Sequence, residues 1–401
     1  MEQVVVVSAV RTPGGNIGGV FKDVLPETLL SVVMNAAIEK AGIAKEIIDE
    51  VIMGQAKQST DQPNIARLVS LMVKIPESTP AYTVHRQCAS GMQAILSGMQ
   101  QIQTGYSDVV LVGGVESMST APFYVRNARF GVGNGSTFFI DPNTESQPRS
   151  QPNDIYGTFN MIQTADNIAV KYGITREECD VFALGSQQKA ISAIDNGRFS
   201  DEIVPVYVPQ RKKAPLCVDT DEFPKRDTNL EKMSKLKPVF ENGVTSAGNA
   251  SGRNDGASAL VLMSLSKAEK LGCIPMARII AGSAAGVDPR YMGLGPVAAT
   301  KKLLKALEIE NENLKLEDFG LIELNEAFAA QSLGCIKEMN FDQSILNVNG
   351  GAISLGHPLG CSGARISTTL LHEMQKRNVK YGLATICIAG GLGMSMAFEN
   401  I

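Results

Sequence analysis

The chain predicts an α/β protein built from two similar halves, the first interrupted by a loop-rich insertion. Three observations carry that prediction. Short apolar runs alternate with amphipathic helical spacing toward both ends of the 401 residues, the pattern of a parallel sheet covered by helices. Short motifs recur in the same order at the two ends, which points to an internal duplication. Between residues 120 and 245 the rhythm breaks.

In the first half, residues 4–9, 50–53, 81–84 and 109–112 read as strands. Residues 26–41 and 90–103 return apolar side chains at helical spacing. The middle opens with residues 126–152, whose Gly, Asn, Ser and Pro content favours surface loop. A helix follows from Thr164, and a second opens at Thr175, where Glu178 completes a capping box. Arg211-Lys212-Lys213 and Lys225-Arg226 then place positive charge near Lys232, Lys235 and Lys237, either a solvated face or a phosphate-binding rim. In the second half, 277–281, 319–324, 345–348 and 383–388 read as strands, and 296–307, 325–338 and 362–377 as helices. Val51-Ile52-Met53-Gly54-Gln55 parallels Ile322-Glu323-Leu324-Asn325-Glu326, Cys88-Ala89-Ser90-Gly91 parallels Cys361-Ser362-Gly363-Ala364, and Leu111-Val112-Gly113-Gly114 parallels Ile388-Ala389-Gly390-Gly391. The halves then comprise residues 1–120 plus 246–272 and residues 273–401, with 121–245 as the inserted loop domain.

A net charge of −4 argues against nucleic acid or an acidic membrane surface as the main partner. The first residues read as a strand where a signal or transit peptide would need other chemistry, and no apolar run approaches the length of a membrane span. The seven cysteines are odd in number and lack a close Cys-x-x-Cys pair. That suits reduced thiols in the cytoplasm better than a disulfide framework or a metal site.

Two of those thiols sit where a strand-like run meets glycine. Cys88 precedes Ser90-Gly91 and a helix, whose unsatisfied N–H groups favour thiolate and can hold an oxyanion. Cys387 ends an apolar run ahead of Gly390, Gly391 and Gly393, which permit close approach of a ligand, and its thiol can exchange a proton with a carbanion. His357, held between Gly356 and Pro358, can take a thiol proton at neutral pH. Nucleophile, base and acid together make an acyl-transfer site. Cys361 reads as a packing residue whose position duplicates that of Cys88, and His85 and His372 read as structural. The polar pair Asn325-Glu326 follows a buried strand and is a further candidate.

With these segments assembled, the chain resembles the thiolase family. Cys-x-Ser-Gly at 88–91, Asn-Glu-Ala-Phe at 325–328, Gly-His-Pro at 356–358 and Cys-x-x-Gly-Gly at 387–391 occur in the family's order and spacing. Residues 245–256 and 348–365 add to the match, which spans essentially the whole chain. The resemblance implies a five-layered sandwich of two βαβαβαββ halves. It makes Cys88 the acylated nucleophile, His357 its base and Cys387 the second acid/base. Asn325 would hold a water that shares an oxyanion site with His357, and the backbone N–H groups of Cys88 and Ala389 would form another. Phe240, Ser251, Ala327 and Phe328 match coenzyme A (CoA) contact positions, and Lys225 or Arg226 falls where a basic residue meets the adenosine phosphate region. Met161 would face the acyl group.

The implied reaction is reversible condensation of two acetyl-CoA to acetoacetyl-CoA and CoA, with a degradative 3-ketoacyl-CoA thiolase for longer chains as the near alternative. CoA and acyl-CoA are substrates, with no bound cofactor or metal. A homo-oligomer, dimer or tetramer, is expected, with residues 131–135 as a candidate contact. Two positions depart from common family patterns: Ala389 stands where many relatives have glycine, and Asn160-Met161 where a biosynthetic subgroup has His-Met. A carrier-protein synthase of the same fold is disfavoured by the thiol at Cys387, and a non-catalytic CoA-binding scaffold by the intact catalytic positions. Oxidation of Cys88 and Cys387 would be a secondary property.

Overall fold

The computed structural model describes residues 2–309, 312 and 314–401. Its strands are β1 (Val4–Arg11), β2 (Gly15–Asn16), β3 (Glu50–Gly54), β4 (Ala81–Val84), β5 (Val109–Ser117), β6 (Val206–Gln210), β7 (Lys213–Val218), β8 (Asn254–Ser264), β9 (Ala277–Gly286), β10 (Leu321–Leu324), β11 (Tyr381–Ile388) and β12 (Leu392–Glu399). Two sheet halves run β4-β3-β5-β8-β1 and β9-β12-β11-β10. They join edge to edge where Val4, Val5 and Val6 pair antiparallel with Ile279, Arg278 and Ala277.

The duplication is visible in the pairing. In the first half β3 lies parallel to β4 and β5, and β8 runs antiparallel between β5 and β1. In the second, β10 lies parallel to β11, and β12 runs antiparallel between β11 and β9. The counterpart of β4 is reduced to one parallel bridge, Ile322 to Leu346. Residues 345–348 were expected to be a strand, and a side chain explains the difference. Asn347 has φ +43 and turns the backbone away, while its Oδ1 accepts from Leu324 N and its Nδ2 donates to Leu324 O, each at 2.9 Å. A side-chain amide thus replaces the missing ladder.

Alternation along each strand sorts the side chains into layers. Val4 and Val6 of β1 face one core, and Val5, Val7 and Val10 face another. The outward core is closed by helices Pro26–Ala41 and Ile65–Met72. The inward core holds helices Ser90–Gln103 and Leu359–Arg377, with Ile386, Ile388, Met394 and Met396 of the second sheet on their far side. Beyond that sheet, Gly295–Ile309 and Ala329–Met339 cover Ile280, Ile322, Leu324 and Leu383. Helix, sheet, helix, sheet and helix make five layers. Helix Leu359–Arg377 is buried along its first four turns, as a helix between two sheets must be.

The chain leaves the first sheet after β5 and returns at β8. Between them lie helices Met161–Tyr172 and Arg176–Asp195 and the β6–β7 hairpin. The capping box at Thr175 is present, with Glu178 N donating to Thr175 Oγ1 at 3.1 Å and Thr175 N to Glu178 Oε2 at 2.7 Å. Buried Arg11 at the end of β1 holds this segment, through Glu202 at 2.6 Å and Asp221 at 2.8 and 3.0 Å.

Three further findings differ from expectation. Strands β8 and β12 were not anticipated; Gly393 and Ser395 interrupt the apolar signal of β12, whereas the apolar run Ala259 to Met263 of β8 was passed over. The helix expected from Asn325 starts only at Ala329. Asn325 N still bonds to Thr385 O, extending the β10–β11 ladder, and Phe328 is extended and bridges to Ala250. The helix expected from Ser362 starts earlier, at Leu359, directly after Pro358.

Candidate active site

The two central helices cross where neither carries a side chain. A β-carbon at Gly91 would lie 2.9 Å from Ala364 N, and one at Gly363 would lie 2.6 Å from the Met92 β-carbon. Glycine therefore lets the helix entries touch backbone to backbone. The loop before one entry carries Cys88 and the loop before the other carries His357, so this crossing brings residues of the two halves to one place.

They open on a cavity of about 920 Å³, counting its mouth. Cys88, His357, Cys387 and Ala389 all line it, as do Met161, Ser251, Ala327 and Phe328. Asn325 is fully buried behind Cys387 and does not line it. Lys225, Arg226 and Phe240 are not among the lining residues either. Arg226 is paired with Asp195 at 2.6 Å, and the Lys225 ammonium lies over the Phe223 ring.

Cys88 follows Gln87, which is held at φ +47, a left-handed conformation that side-chain-bearing residues seldom adopt. Ser90 locks the turn, its Oγ donating to Gln87 O at 2.7 Å and accepting from Arg86 N at 2.9 Å. The cysteine is partly accessible because its thiol opens on the cavity, while protein crowds it elsewhere. Burial pushes that thiol up to about 11, against the opposing pull of the Ala389 amide and the Lys57 charge. The expectation that the helix entry would favour thiolate is thus outweighed by desolvation.

His357 is buried, and its N–H donates to Asn254 Oδ1 at 2.9 Å. Its Nδ1 lies 2.6 Å from Ser362 Oγ, and that hydroxyl donates to Pro358 O at 2.8 Å. With the hydroxyl donating to Pro358 O, Nδ1 is the donor to Ser362 and Nε2 is left as the acceptor, the tautomer a general base at Nε2 requires. Burial, assisted by the Arg365 charge, lowers the imidazole to about 3, so it is neutral and able to accept a proton.

Cys387 sits at the end of β11, opposite Gly393 of β12. Burial raises its thiol well above the ordinary value, and ionisation of the neighbouring Cys88 raises it further. The Asn325 amide lies close enough to favour the ionised form, yet neither of its polar atoms meets hydrogen-bonding geometry with a protein group. The hairpin turns through Ala389, Gly390 and Gly391, the glycines at φ +89 and +82. A β-carbon at Gly390 would lie 2.8 Å from Ser150 O, so the inserted segment rests directly on the turn.

Four residues around the site were not anticipated. Ser362 and Asn254 hold His357, and Glu116 and Lys57 stand behind Cys88. The buried Glu116 carboxylate accepts from Ala56 N and Lys57 N, both at 3.0 Å, and from Gly360 N at 2.9 Å. It thereby ties the loop after β3 to the helix after His357. Burial raises it to about 7, with those amides opposing. Ser362 had a signal in its likeness to Ser90, and Asn254 lies in the 245–256 stretch that resembles the family; Glu116 and Lys57 lie in segments that carry no motif.

A proton-bearing thiol, a neutral imidazole with a free Nε2, a second thiol and a glycine-shaped turn of backbone now face one cavity. The N-terminal thiolase domain profile matches residues 4–266 and the C-terminal profile matches 273–400. The chain belongs to the thiolase family. This thiolase is 46% identical to an acetyl-CoA acetyltransferase of Pseudomonas aeruginosa over 401 residues, 100% of both chains. It is 44% identical to one from Cupriavidus necator, again over the full length of both. Among solved structures, a Bacillus anthracis acetyl-CoA acetyltransferase superposes with a TM-score of 0.96 at 43% identity, covering 100% of this chain and 99% of that one. A human mitochondrial 3-ketoacyl-CoA thiolase in complex with CoA superposes at 0.93 with 42% identity, covering 100% and 98%.

Proposed function

We propose that this thiolase is an acetyl-CoA C-acetyltransferase that interconverts two acetyl-CoA with acetoacetyl-CoA and CoA. The meeting of Cys88, His357 and Cys387 on one cavity carries the reading, and the full-length relatives named acetyl-CoA acetyltransferase favour it over a degradative enzyme.

In the cleavage direction, Cys88 Sγ attacks the 3-keto carbon while His357 Nε2 takes its proton. The resting site keeps that proton on sulfur, so transfer becomes favourable only as charge moves from sulfur to the substrate oxygen. The Ala389 and Cys88 amides receive that oxygen, as fixed donors that need no reorganisation when the charge arrives. The C2–C3 bond then breaks, leaving acetyl on Cys88, and the departing acetyl-CoA enolate takes the Cys387 proton. The Cys387 thiolate next removes the proton of an incoming CoA thiol, whose sulfur displaces Cys88. The imidazolium returns its proton to the released Cys88. Asn325 has an uncommitted amide to position a water beside His357, as the second oxyanion donor.

Ser251, Ala327 and Phe328 form the CoA side of the cavity in this reading, with Met161 toward the acyl group. Phe240, Lys225 and Arg226 would meet the nucleotide outside it. CoA is a substrate, and no bound cofactor or metal is invoked. We assign the halves to residues 1–120 plus 246–272 and 273–401, the loop domain to 121–245, and expect a cytoplasmic homotetramer. Among the described residues no helix is long and apolar enough to cross a membrane.

The test is CoA-dependent cleavage of acetoacetyl-CoA by the wild type and Cys88→Ala, with 3-ketooctanoyl-CoA alongside. Wild-type turnover of the four-carbon substrate that vanishes in the variant supports the proposal. Turnover of the eight-carbon substrate alone would replace it with the degradative activity.

A further inference from the structure

The wall beside Cys88 carries a charge that touches no group of the substrate in acetyl transfer. Lys57 lines the cavity, half-buried, and its backbone is pinned by Glu116. Its ammonium donates to Pro142 O at 3.1 Å and to Ser146 Oγ. An ammonium has three N–H donors, so one is left uncommitted. Lys57 makes no ion pair within 4.0 Å among the described residues, whereas the other lining cation, Arg253, is paired with Asp141 at 3.7 Å. No Asp or Glu lines the cavity among the described residues. Burial lowers the ammonium's pKa, opposed by Glu116, Cys88 and Asp141, which places its charge within reach of the nucleophile.

We propose that Lys57 makes this cavity select acyl groups that end in a carboxylate, so that 3-oxoacyl-CoA thioesters with a terminal carboxylate are preferred over methyl-ended ones of equal length. The inference rests on Cys88 being the acylated residue. A two-carbon acyl group is too short to cover the ammonium and leaves it hydrated. A longer methyl-ended chain lies against the ammonium and strips its water without replacing the hydrogen bond. A terminal carboxylate supplies both the acceptor and the countercharge. Sites built to bond a polar group reject the isostere that lacks it far more strongly than apolar pockets discriminate size.

The deciding experiment measures kcat/KM for CoA-dependent cleavage of 3-oxohexanedioyl-CoA and 3-oxohexanoyl-CoA, with acetoacetyl-CoA in parallel, for the wild type, Lys57→Met and Lys57→Arg. The expected wild-type preference for the carboxylated substrate is at least tenfold. It falls at least tenfold in Lys57→Met and is largely kept in Lys57→Arg. A wild-type ratio of one or less overturns the proposal without any variant, as does a preference unmoved by Lys57→Met. Cleavage of acetoacetyl-CoA with such a ratio removes the selectivity alone, whereas cleavage of none of the three substrates removes the Cys88 reading with it.

Discussion

Replacing Ser362 by alanine isolates the control of the His357 tautomer. The hydroxyl is buried, 2.6 Å from Nδ1, and is committed to Pro358 O. Pro358 O also accepts the Cys361 and Ser362 amides at 2.9 and 2.8 Å, so it stays satisfied after truncation. The loss falls on the imidazole, whose Nδ1–H is left without an acceptor inside the protein. An unsatisfied buried donor costs about 1–3 kcal/mol. The ring can escape that cost by moving its proton to Nε2, but it then ceases to be the base. Either route raises the barrier, and at about 1.4 kcal/mol per decade kcat should fall about 5- to 150-fold. KM for acetoacetyl-CoA should change little, since Ser362 does not line the cavity. Steady-state cleavage of acetoacetyl-CoA by the wild type, Ser362→Ala and Ser362→Thr measures this, and threonine, which keeps the hydroxyl, should restore most of kcat. A Ser362→Ala enzyme with kcat within twofold of wild type would refute the assignment of Nε2 as the proton acceptor.

Cys88 is raised to about 11, so its thiol form dominates below that value and its thiolate fraction grows with pH. Iodoacetamide labelling followed by mass spectrometry should therefore accelerate continuously from pH 6 to 10; a plateau at neutral pH would show a preformed thiolate. Cys387→Ala should still accept an acetyl group on Cys88 from acetyl-CoA while condensation stops, and unimpaired condensation would assign the second acid/base elsewhere. In Gly390→Ala, a left-handed backbone costing about 1–2 kcal/mol is joined by the contact with Ser150 O. Both the melting temperature and kcat should drop, and an unchanged kcat would separate this turn from the oxyanion site. Arg11→Met leaves the buried Asp221 without its cation and Glu202 with only Arg198 at 3.4 Å, and denaturant unfolding should show a loss of about 3–5 kcal/mol; a loss below 1 kcal/mol would mean that the inserted segment is held by other contacts.

Much of the architecture was legible because it rests on local patterns. The bounds of β4 match the apolar run read for it, β3, β10 and β11 lie within two residues of theirs, and two of the recurring motif pairs fall at equivalent positions, the ends of β3 and β10 and the two central helix entries; the third lies inside β5 but runs past the end of β11. What escaped notice depends on long-range partners. Strand β8 does carry an apolar run, Ala259 to Met263, but it follows the inserted segment and pairs with β1 and β5 far away in sequence, so its place in the first sheet is not a local signal. Asn347 mimics a strand by side-chain hydrogen bonds that no periodicity reveals. At the site, Cys88, His357 and Cys387 carried motifs. Lys57 did not, since a lysine after a strand resembles any solvated loop residue until Pro142 and Ser146 fold against it.

The crossing at Gly91 and Gly363 also governs how the molecule should fail on heating. Only backbone and the β-carbons of Met92 and Ala364 meet the two glycines there, so no rotamer change at the contact can absorb a displacement; a shift of either half moves the Cys88 and His357 loops apart. Turnover should accordingly report on the seam between halves, vanishing at the first loosening of the central layer while the outer helices still hold their shape.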